Sequence, residues 1–455
     1  MYRTIFFQKD MRAVISSMFK KDSGDTNWGL SVKKNIWIFN HYSTDMFYNQ
    51  SGRHYWFASN LKQRGYDVTI FGASTKYKFG SDIQIERGKF ASQQSGDLTF
   101  VFVKCKPFGD HHFDRVLNMI SFAKNLSPVA ASYAGLNGKP DLILASSVHP
   151  LTLVTGLRVA KRFGVPCICE VRDLWPETLV ASGKLKKSSI LAMALYKGER
   201  WIYEKADGLV FTMEGGIDYV TMKGWTTSEG GEIDSKKVHY INNGIDLLQF
   251  DQNLLEYEGF LSELFANDRL NFIYTGSIRY VNNLDLILEP FAELVQEGYP
   301  LRFIVIGGGN ELEMLEHKYQ PMNNIIFAGP VDKKYVPSLL AQADVSVLCS
   351  TQTSINRFGI SPNKLFDYLA ASQPILNLLQ ANYDLVEGSA SGLSLKDQSS
   401  QSIREGILHF LKLTKAEREE MGQNGRKLVE QFDFKILTDH LIDIIEGVTR
   451  EDKVS

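Results

Sequence analysis

The sequence predicts two doubly wound α/β domains facing each other across a cleft, and three observations predict it. The chain has 455 residues, too many for one ordinary hydrophobic core and suited to two domains of roughly 200 residues each. Apolar strand patterns alternate with helical patterns, as in a parallel sheet covered on both faces. That alternation breaks and restarts once, across Asp251 to Asp268. Apolar types make up 44% of the chain and charged types 22%, spread along its whole length, which excludes extensive disorder and a fibrous repeat.

Residues 1–34 read as an extension. Within residues 1–22, Phe7, Met11, Val14, Ile15 and Met18 recur at helical spacing with Lys9, Arg12, Lys20 and Lys21 nearby, a pattern that fits either contact with a membrane surface or a short docked helix. The first domain is expected over residues 35–250, with strands at Ile36–Phe39, Val68–Phe71, Leu98–Val103, Leu142–Ala145, Pro166–Glu170, Gly208–Phe211 and Val238–Ile241. A helix over Arg53–Arg64, stopped by Gly65, follows the first of them. The acidic, uneven residues 251–268 are the expected linker. The second domain is expected over residues 269–435, with strands at Leu270–Tyr274, Leu301–Ile306, Ile325–Ala328, Val345–Leu348 and Ile375–Leu378 and helices over Leu284–Glu297 and Glu311–Tyr319. A last helical pattern, Ile436–Ile445 within residues 436–455, is expected to pack back toward the first domain.

Fifty basic against 52 acidic residues leave a net charge of -2, which argues against nucleic acid as a partner. No window of roughly 18 residues is continuously apolar and uncharged, and no secretory signal opens the chain, so a cytoplasmic protein is expected, peripheral on the inner leaflet if the first segment lies on it. Of the cysteines Cys105, Cys167, Cys169 and Cys349, three lie in strand-like runs and read as buried reduced thiols. Alternation along one strand face explains the Cys-x-Cys spacing, and no structural metal is expected.

Two open parallel sheets place loops and helix N-termini at the carboxyl ends of their strands, where free N–H groups favour anions. In the second domain, Gly307-Gly308-Gly309 follows one strand and opens toward a helix at Asn310 or Glu311. Thr275-Gly276-Ser277-Ile278-Arg279 follows another and sets a fixed cation beside a Gly-Ser loop. In Phe358-Gly359-Ile360-Ser361-Pro362-Asn363-Lys364-Leu365-Phe366-Asp367-Tyr368, Pro362 suits a first helical position after Ser361 as N-cap. Lys364 and Asp367 then share a helix face, the first to meet a phosphate and the second to accept from sugar hydroxyls, a plain surface ion pair being the bland reading. In the first domain, Glu170-Val171-Arg172-Asp173-Leu174-Trp175-Pro176-Glu177 crowds ionisable groups at a strand end, and Gly52-Arg53-His54 and Ser146-Ser147-Val148-His149-Pro150 point to the same edge. The run Asp110-His111-His112-Phe113-Asp114 reads as a solvated loop.

In this order, the blocks Gly52-Arg53-His54-Tyr55, Arg64-Gly65-Tyr66-Asp67-Val68, Val171 to Glu177, Asn243-Gly244-Ile245-Asp246, Tyr274-Thr275-Gly276-Ser277 and Ser361 to Tyr368 resemble a known family. The chain, from Asn35 to about Phe434, looks like a retaining glycosyltransferase of family 4 with the GT-B architecture of two doubly wound Rossmann-like domains. Within that family it resembles bacterial amino-sugar transferases of O-antigen and capsule assembly, of the L-fucosamine transferase type. The resemblance implies a nucleotide-sugar donor, most often UDP-linked and here an N-acetylated amino sugar, and a saccharide or lipid-linked saccharide acceptor in cell-surface polysaccharide biosynthesis. It implies no separate cofactor.

By that resemblance Asp367 holds the ribose hydroxyls and Lys364 and Arg279 meet the diphosphate, within a donor set of Gly276, Ser277, Gly307, Gly308, Gly359, Ile360, Ser361, Pro362, Asn363 and Leu365. Asp173 and Glu177 fall where the acceptor hydroxyl would approach, with Gly52, Arg53, His54, His149 and Arg172 on the acceptor side. Two positions depart from the family pattern: Gly359 stands eight residues before Asp367, where the family carries a Glu, and Asn282 and Asn283 replace a downstream Lys. Fixed cations and a helix N-terminus, with no Asp-x-Asp motif, lead to an expectation of metal independence. Two other readings fit the same architecture, a nucleotide-sugar epimerase and a catalytically silent subunit that binds sugar nucleotides.

Overall fold

A computed structural model describes residues 34–451 except 77–80, 108–111 and 148. The helical pattern at 1–22, and Asp110 and His111 of the Asp110 to Asp114 run, lie outside the described residues; His112 to Asp114 open a helix instead of a loop.

The first half forms an eight-stranded sheet. In chain order its strands are β1 (Asn35–Phe39), β2 (Asp67–Ala73), β3 (Phe90–Ser95), β4 (Leu98–Val103), β5 (Leu142–Ser146), β6 (Cys167–Val171), β7 (Gly208–Phe211) and β8 (Val238–Tyr240). Their spatial order is β3-β4-β2-β1-β5-β6-β7-β8. All pairs are parallel except β3 with β4, an antiparallel hairpin at the edge. The sequence reading missed β3 because its residues, FASQQS, are polar and lie on an open edge where no second face is buried.

Side-chain alternation explains the two-sided burial. Ile36, Ile38, Ile70, Phe100 and Leu144 point to one face, while Trp37, Phe39, Phe71, Val101 and Ile143 point to the other, and all are buried. Helix α1 (Arg53–Gln63) covers the first face. Helices α2 (His112–Asn137), α3 (Pro150–Phe163) and α4 (Ile190–Lys205) contribute Phe122, Leu157 and Ile202 to the second.

Between the sheets runs α5 (Leu247–Glu256), so the expected linker is partly helical, and Phe260 beyond it stacks on Tyr335 at 4.1 Å. The second half is a six-stranded, wholly parallel sheet of β9 (Leu270–Thr275), β10 (Leu301–Ile306), β11 (Ile325–Gly329), β12 (Val345–Leu348), β13 (Ile375–Asn377) and β14 (Gly392–Ser394). Its order is β11-β10-β9-β12-β13-β14, and the three-residue β14 was not anticipated. Helices α6 (Asp285–Gln296), α7 (Leu312–Tyr319) and α8 (Asn363–Ala370) cover it. Helix α7 opens at Leu312, one to two residues later than expected. Helix α8 buries Leu365, Phe366 and Leu369, each contributing about 1.5–3 kcal/mol of transfer free energy.

The chain passes between the halves twice, side by side. The Ile245 N–H donates to Phe432 O at 3.0 Å and the Phe434 N–H donates to Ile245 O at 2.9 Å. Gly244 permits this approach, since a Cβ there would lie 2.2 Å from Phe432 O. Asp246 then caps α5 by accepting from the Gln249 N–H at 2.7 Å. After the second crossing, α9 (Phe434–Glu451), longer at both ends than its sequence pattern, packs on α1. Phe434 meets Phe57 edge-on at 5.5 Å and Arg64 pairs with Asp439.

A buried ion cluster ties the strand ends of the first sheet together. Glu170 on β6 accepts from Arg53 Nε at 2.7 Å, from Ser146 Oγ at 2.6 Å, and contacts His54 Nε2 at 2.8 Å. Arg53 also donates to the carbonyls of Ile241 and Asn242, just after β8. Burial alone would raise the Glu170 carboxyl, but Arg53 and His54 outweigh it and hold it well below the usual carboxylate range. Breaking a buried pair strands the remaining charge, so Glu170→Ala is expected to lower the unfolding free energy by about 3–5 kcal/mol in urea titrations; a loss under about 1 kcal/mol would contradict this role.

Candidate active site

The second half supplies a cation with no counter-ion among the described residues. Lys364 lies in the first turn of α8, and its Nζ donates to Tyr274 Oη at 2.7 Å and sits 3.9 Å from the centre of the Tyr274 ring. No described carboxylate lies within ion-pair distance of it. Burial lowers its pKa to about 8, with Cys349 opposing the shift weakly. The i,i+3 ion pair with Asp367 does not form. Asp367 instead faces Lys333 at 3.9 Å, and burial raises its pKa against that lysine's pull.

Lys364 rests on the glycine loops. A Cβ on Gly276, whose φ is 134°, would lie 3.2 Å from Lys364 Nζ. Gly307, with φ 148°, packs on Gly276 so tightly that a Cβ would lie 1.8 Å from Gly276 O. The Ile278 N–H donates to Gly308 O at 2.9 Å, locking the two loops at adjacent strand ends. Asn282 fixes the arrangement by donating to Tyr274 Oη and to Ser277 O, both at 2.8 Å. Arg279 is exposed, and its guanidinium makes no hydrogen bond or ion pair with a described residue. Tyr274 and Asn282 were named in the sequence, the first in a family block and the second as a departure from it, but their roles in holding Lys364 and the loop were not anticipated, although a tyrosine at a strand end before a Gly-Ser loop is a usable signal.

The Gly359 to Asn363 loop joins the halves. Helix α8 starts at Asn363 with Pro362 as N-cap, so Ser361 does not cap it. Ser361 Oγ donates instead to Asn242 Oδ1, and Asn243 donates through its backbone and its side-chain amide to Ser361 Oγ and O, at 3.1 and 2.7 Å. Gly359 has φ 96°, a conformation that disfavours side chains, and its Cβ position faces the Glu214 N–H at 3.4 Å. The position therefore serves backbone contact across the halves. Ile360 is half-buried, and Leu365 points into the core.

On the first half, Asp173 is open to solvent on one side and crowded by protein on the other; that crowding raises its pKa against the pull of Arg172. Three expectations require correction. Arg53 and His54 do not face an acceptor, because their side chains are 4% and 0% exposed and are committed to Glu170. Glu177 is occupied by Lys223 at 2.6 Å and Tyr196 at 2.7 Å, which hold its pKa low although burial would raise it. His149 is buried against His41, with ring nitrogens 2.7 Å apart, and burial lowers its pKa to about 4, so it is neutral at neutral pH. Gly52, with φ 104°, turns the chain into α1. Glu199 was missed. Its carboxyl accepts from Tyr203 and Tyr219 at 2.9 and 2.8 Å, burial raises its pKa to about 8, and it shares a small cavity with Asp173, Trp175 and Ser147.

Comparison with known proteins follows this division. Residues 53–244 match the family described as Glycosyl transferase 4-like domain, and residues 260–428 match Glycosyl transferases group 1. A Bacillus subtilis (strain 168) protein named for teichuronic acid biosynthesis as a glycosyltransferase, TuaH, is 24% identical over 215 residues, or 46% of this chain and 49% of its own length. The chain thus spans about half of that relative. Among solved structures, sucrose-phosphate synthase from Thermosynechococcus elongatus superposes with a TM-score of 0.68 at 14% identity, covering 92% of this chain and 100% of that one. The E. coli trehalose-6-phosphate structure bound with UDP-2-fluoro glucose gives 0.67 at 12% identity over 91% and 99%. Anabaena Alr3699/HepE in complex with UDP and glucose gives 0.62 at 12% over 91% and 100%. The shared fold is GT-B.

The Lys364 titration makes a testable statement. A diphosphate binds the ammonium form and raises its pKa, so UDP affinity by calorimetry is expected to hold below pH about 8 and to fall above it, by up to about tenfold per pH unit. Lys364→Gln is expected to bind more weakly and without that pH dependence; an unchanged profile would remove Lys364 from the site.

Proposed function

We propose that this chain, a glycosyltransferase of the GT-B architecture, transfers a sugar from a nucleotide diphosphate donor to a saccharide acceptor with retention of anomeric configuration. The single observation that carries the reading is Lys364: a partly buried ammonium with no carboxylate partner among the described residues, at a helix start, resting on Gly276, with Arg279, which has no partner among the described residues, three residues along the same loop. Such a setting is stabilised by a bound anion carrying more than one negative charge.

The chemistry follows from that placement. The bond between the anomeric carbon and the phosphate oxygen breaks, with its electron pair leaving on the diphosphate. The acceptor oxygen bonds to the same carbon from the same face, and its proton passes to the departing phosphate oxygen. Lys364, Arg279 and the free N–H groups of the α8 first turn stabilise the developing charge, which is the main catalytic term. In this reading Asp367 accepts from the ribose hydroxyls and Asp173 lies on the acceptor side. Two fixed cations supply the charge compensation that other enzymes draw from a metal, which supports metal independence. The donor is UDP-linked and carries an acetamido sugar, and the acceptor is a lipid-linked saccharide of a cell-surface polysaccharide. Support for the donor comes from the resemblance carried by the Ser361 to Tyr368 block and from the similar structures bound with UDP and glucose or with UDP-2-fluoro glucose. Support for a polysaccharide product comes from the teichuronic acid named for the Bacillus relative.

The test is a panel of UDP-, GDP- and dTDP-sugars incubated with lipid-linked acceptors, with products read by mass spectrometry and anomeric proton NMR. UDP-dependent transfer with retention is expected, and Lys364→Ala is expected to lower turnover by about two to three orders of magnitude in a folded protein. Inversion, donor turnover without any acceptor, or full activity in Lys364→Ala would each defeat the reading.

A further inference from the structure

Tyr274, next to last in β9, is fully buried, and its hydroxyl sits in a closed set of hydrogen bonds. It donates to Ser277 O at 2.7 Å and accepts from Asn282 Nδ2 at 2.8 Å and from Lys364 Nζ at 2.7 Å. A phenol has one proton and two acceptor sites, so every site is used. The polarity of the set is fixed as well. A carbonyl cannot donate, so Ser277 O orients both the Tyr274 proton and the Asn282 amide nitrogen, which reaches it at 2.8 Å. The last acceptor site of the hydroxyl is thereby locked toward Lys364.

An ammonium carries three donors. Lys364 spends one on Tyr274, and no other described residue accepts from it. The groups that face it are Tyr274 from β9, the Cys349 thiol just after β12 and the Gly276 backbone. Burial pushes the thiol up to about 11 and raises the phenol too, so both are neutral at neutral pH. On α8 itself, Asp367 is turned to Lys333, and Tyr368 is bonded to the Thr275 N–H at 3.0 Å. The Tyr274 hydroxyl is therefore the one hydrogen-bond acceptor that meets the ammonium among the described residues.

We propose that Tyr274 is a positioning residue for the donor: its hydroxyl holds Lys364 Nζ beside the Gly276 loop with two N–H groups free, so that a diphosphate meets an ammonium already aimed. Asn282 and Ser277 set the direction of that hydroxyl. The inference deepens the function proposed above and rests on it, because Tyr274 acts through Lys364 and touches no substrate. A lysine side chain loses much rotamer freedom when it is ordered, and ordering it before the donor arrives removes that cost from binding. A hydrogen bond to the charged form also opposes the desolvation that disfavours the ammonium.

Tyr274→Phe isolates the hydroxyl. The ring stays, with its packing and its 3.9 Å contact to Nζ, and only the acceptor is lost. UDP binding is followed by calorimetry across the alkaline range for the native chain, Tyr274→Phe, Lys364→Gln and the double variant, with thermal unfolding as the check on folding. Losing the acceptor lowers the Lys364 pKa, so the alkaline fall in UDP affinity is expected roughly one pH unit earlier in Tyr274→Phe, with affinity below that fall reduced roughly threefold to tenfold. In the Lys364→Gln background the same change is expected to do nothing further. An unmoved alkaline fall, or an equal loss in both backgrounds, overturns the inference and leaves the nucleotide site standing. Should Lys364→Gln bind UDP like the native chain, the proposed function fails and this inference with it. A second reading needs no variant: in a crystal of the native chain with UDP, Nζ is expected within hydrogen-bonding distance of both Tyr274 Oη and a phosphate oxygen, and an Nζ that has left Oη to reach phosphate overturns the inference.

Discussion

An ammonium group held in a crowded position, with no carboxylate among the described residues to balance it, is the constraint on which the second half is organised. Lys364 has Tyr274 beneath it and Gly276 beside it, and desolvation opposes its charge. A free lysine of this kind is costly, and the surrounding structure spends two glycines with positive φ, at Gly276 and Gly307, to keep space open next to it. Asn282 and Tyr274 are fully engaged in fixing the loop, so the open side of Lys364 is the side away from them. In the proposed function, a diphosphate arriving there would supply that negative charge, and its departure in a transfer reaction would draw on the same groups.

The first half solves a different problem, which is to hold strand ends rigid while the chain passes between domains twice. Glu170 gathers Arg53, His54 and Ser146, and through Arg53 it reaches the carbonyls after β8. Those same residues lead into Asn242 and Asn243, which bind Ser361 in the other half, and then into Gly244, where the two crossings touch. The buried cluster, the crossing and the loop that positions α8 thus form one continuous chain of contacts. Arg53 and His54 are buried members of this cluster, committed to Glu170.

Much of this was legible in the sequence, for identifiable reasons. Strands buried on both faces leave apolar runs that no turn or loop imitates, which is why the parallel strands other than the short, half-buried β14 were readable, and why the polar edge strand β3 was not. The start of α8 near Lys364 followed from Pro362, although the cap did not. Partners were the illegible part. Glu170 lies 117 residues from Arg53, and a lone carboxylate inside Cys167 to Val171 was its only trace. Lys223 reaches Glu177 from 46 residues away, and Tyr274 meets Lys364 from 90. Periodicity reports which face of an element is buried and carries no information about which distant side chain waits there.

The account stands on where a nucleotide diphosphate binds, and a crystal structure of the chain with UDP tests that most directly. It predicts phosphate oxygens within hydrogen-bonding distance of Lys364 Nζ, against the Gly276 and Gly307 loops, with the ribose hydroxyls at Asp367. UDP found elsewhere, or bound with Lys364 still resting on Tyr274 and touching no phosphate, would contradict it.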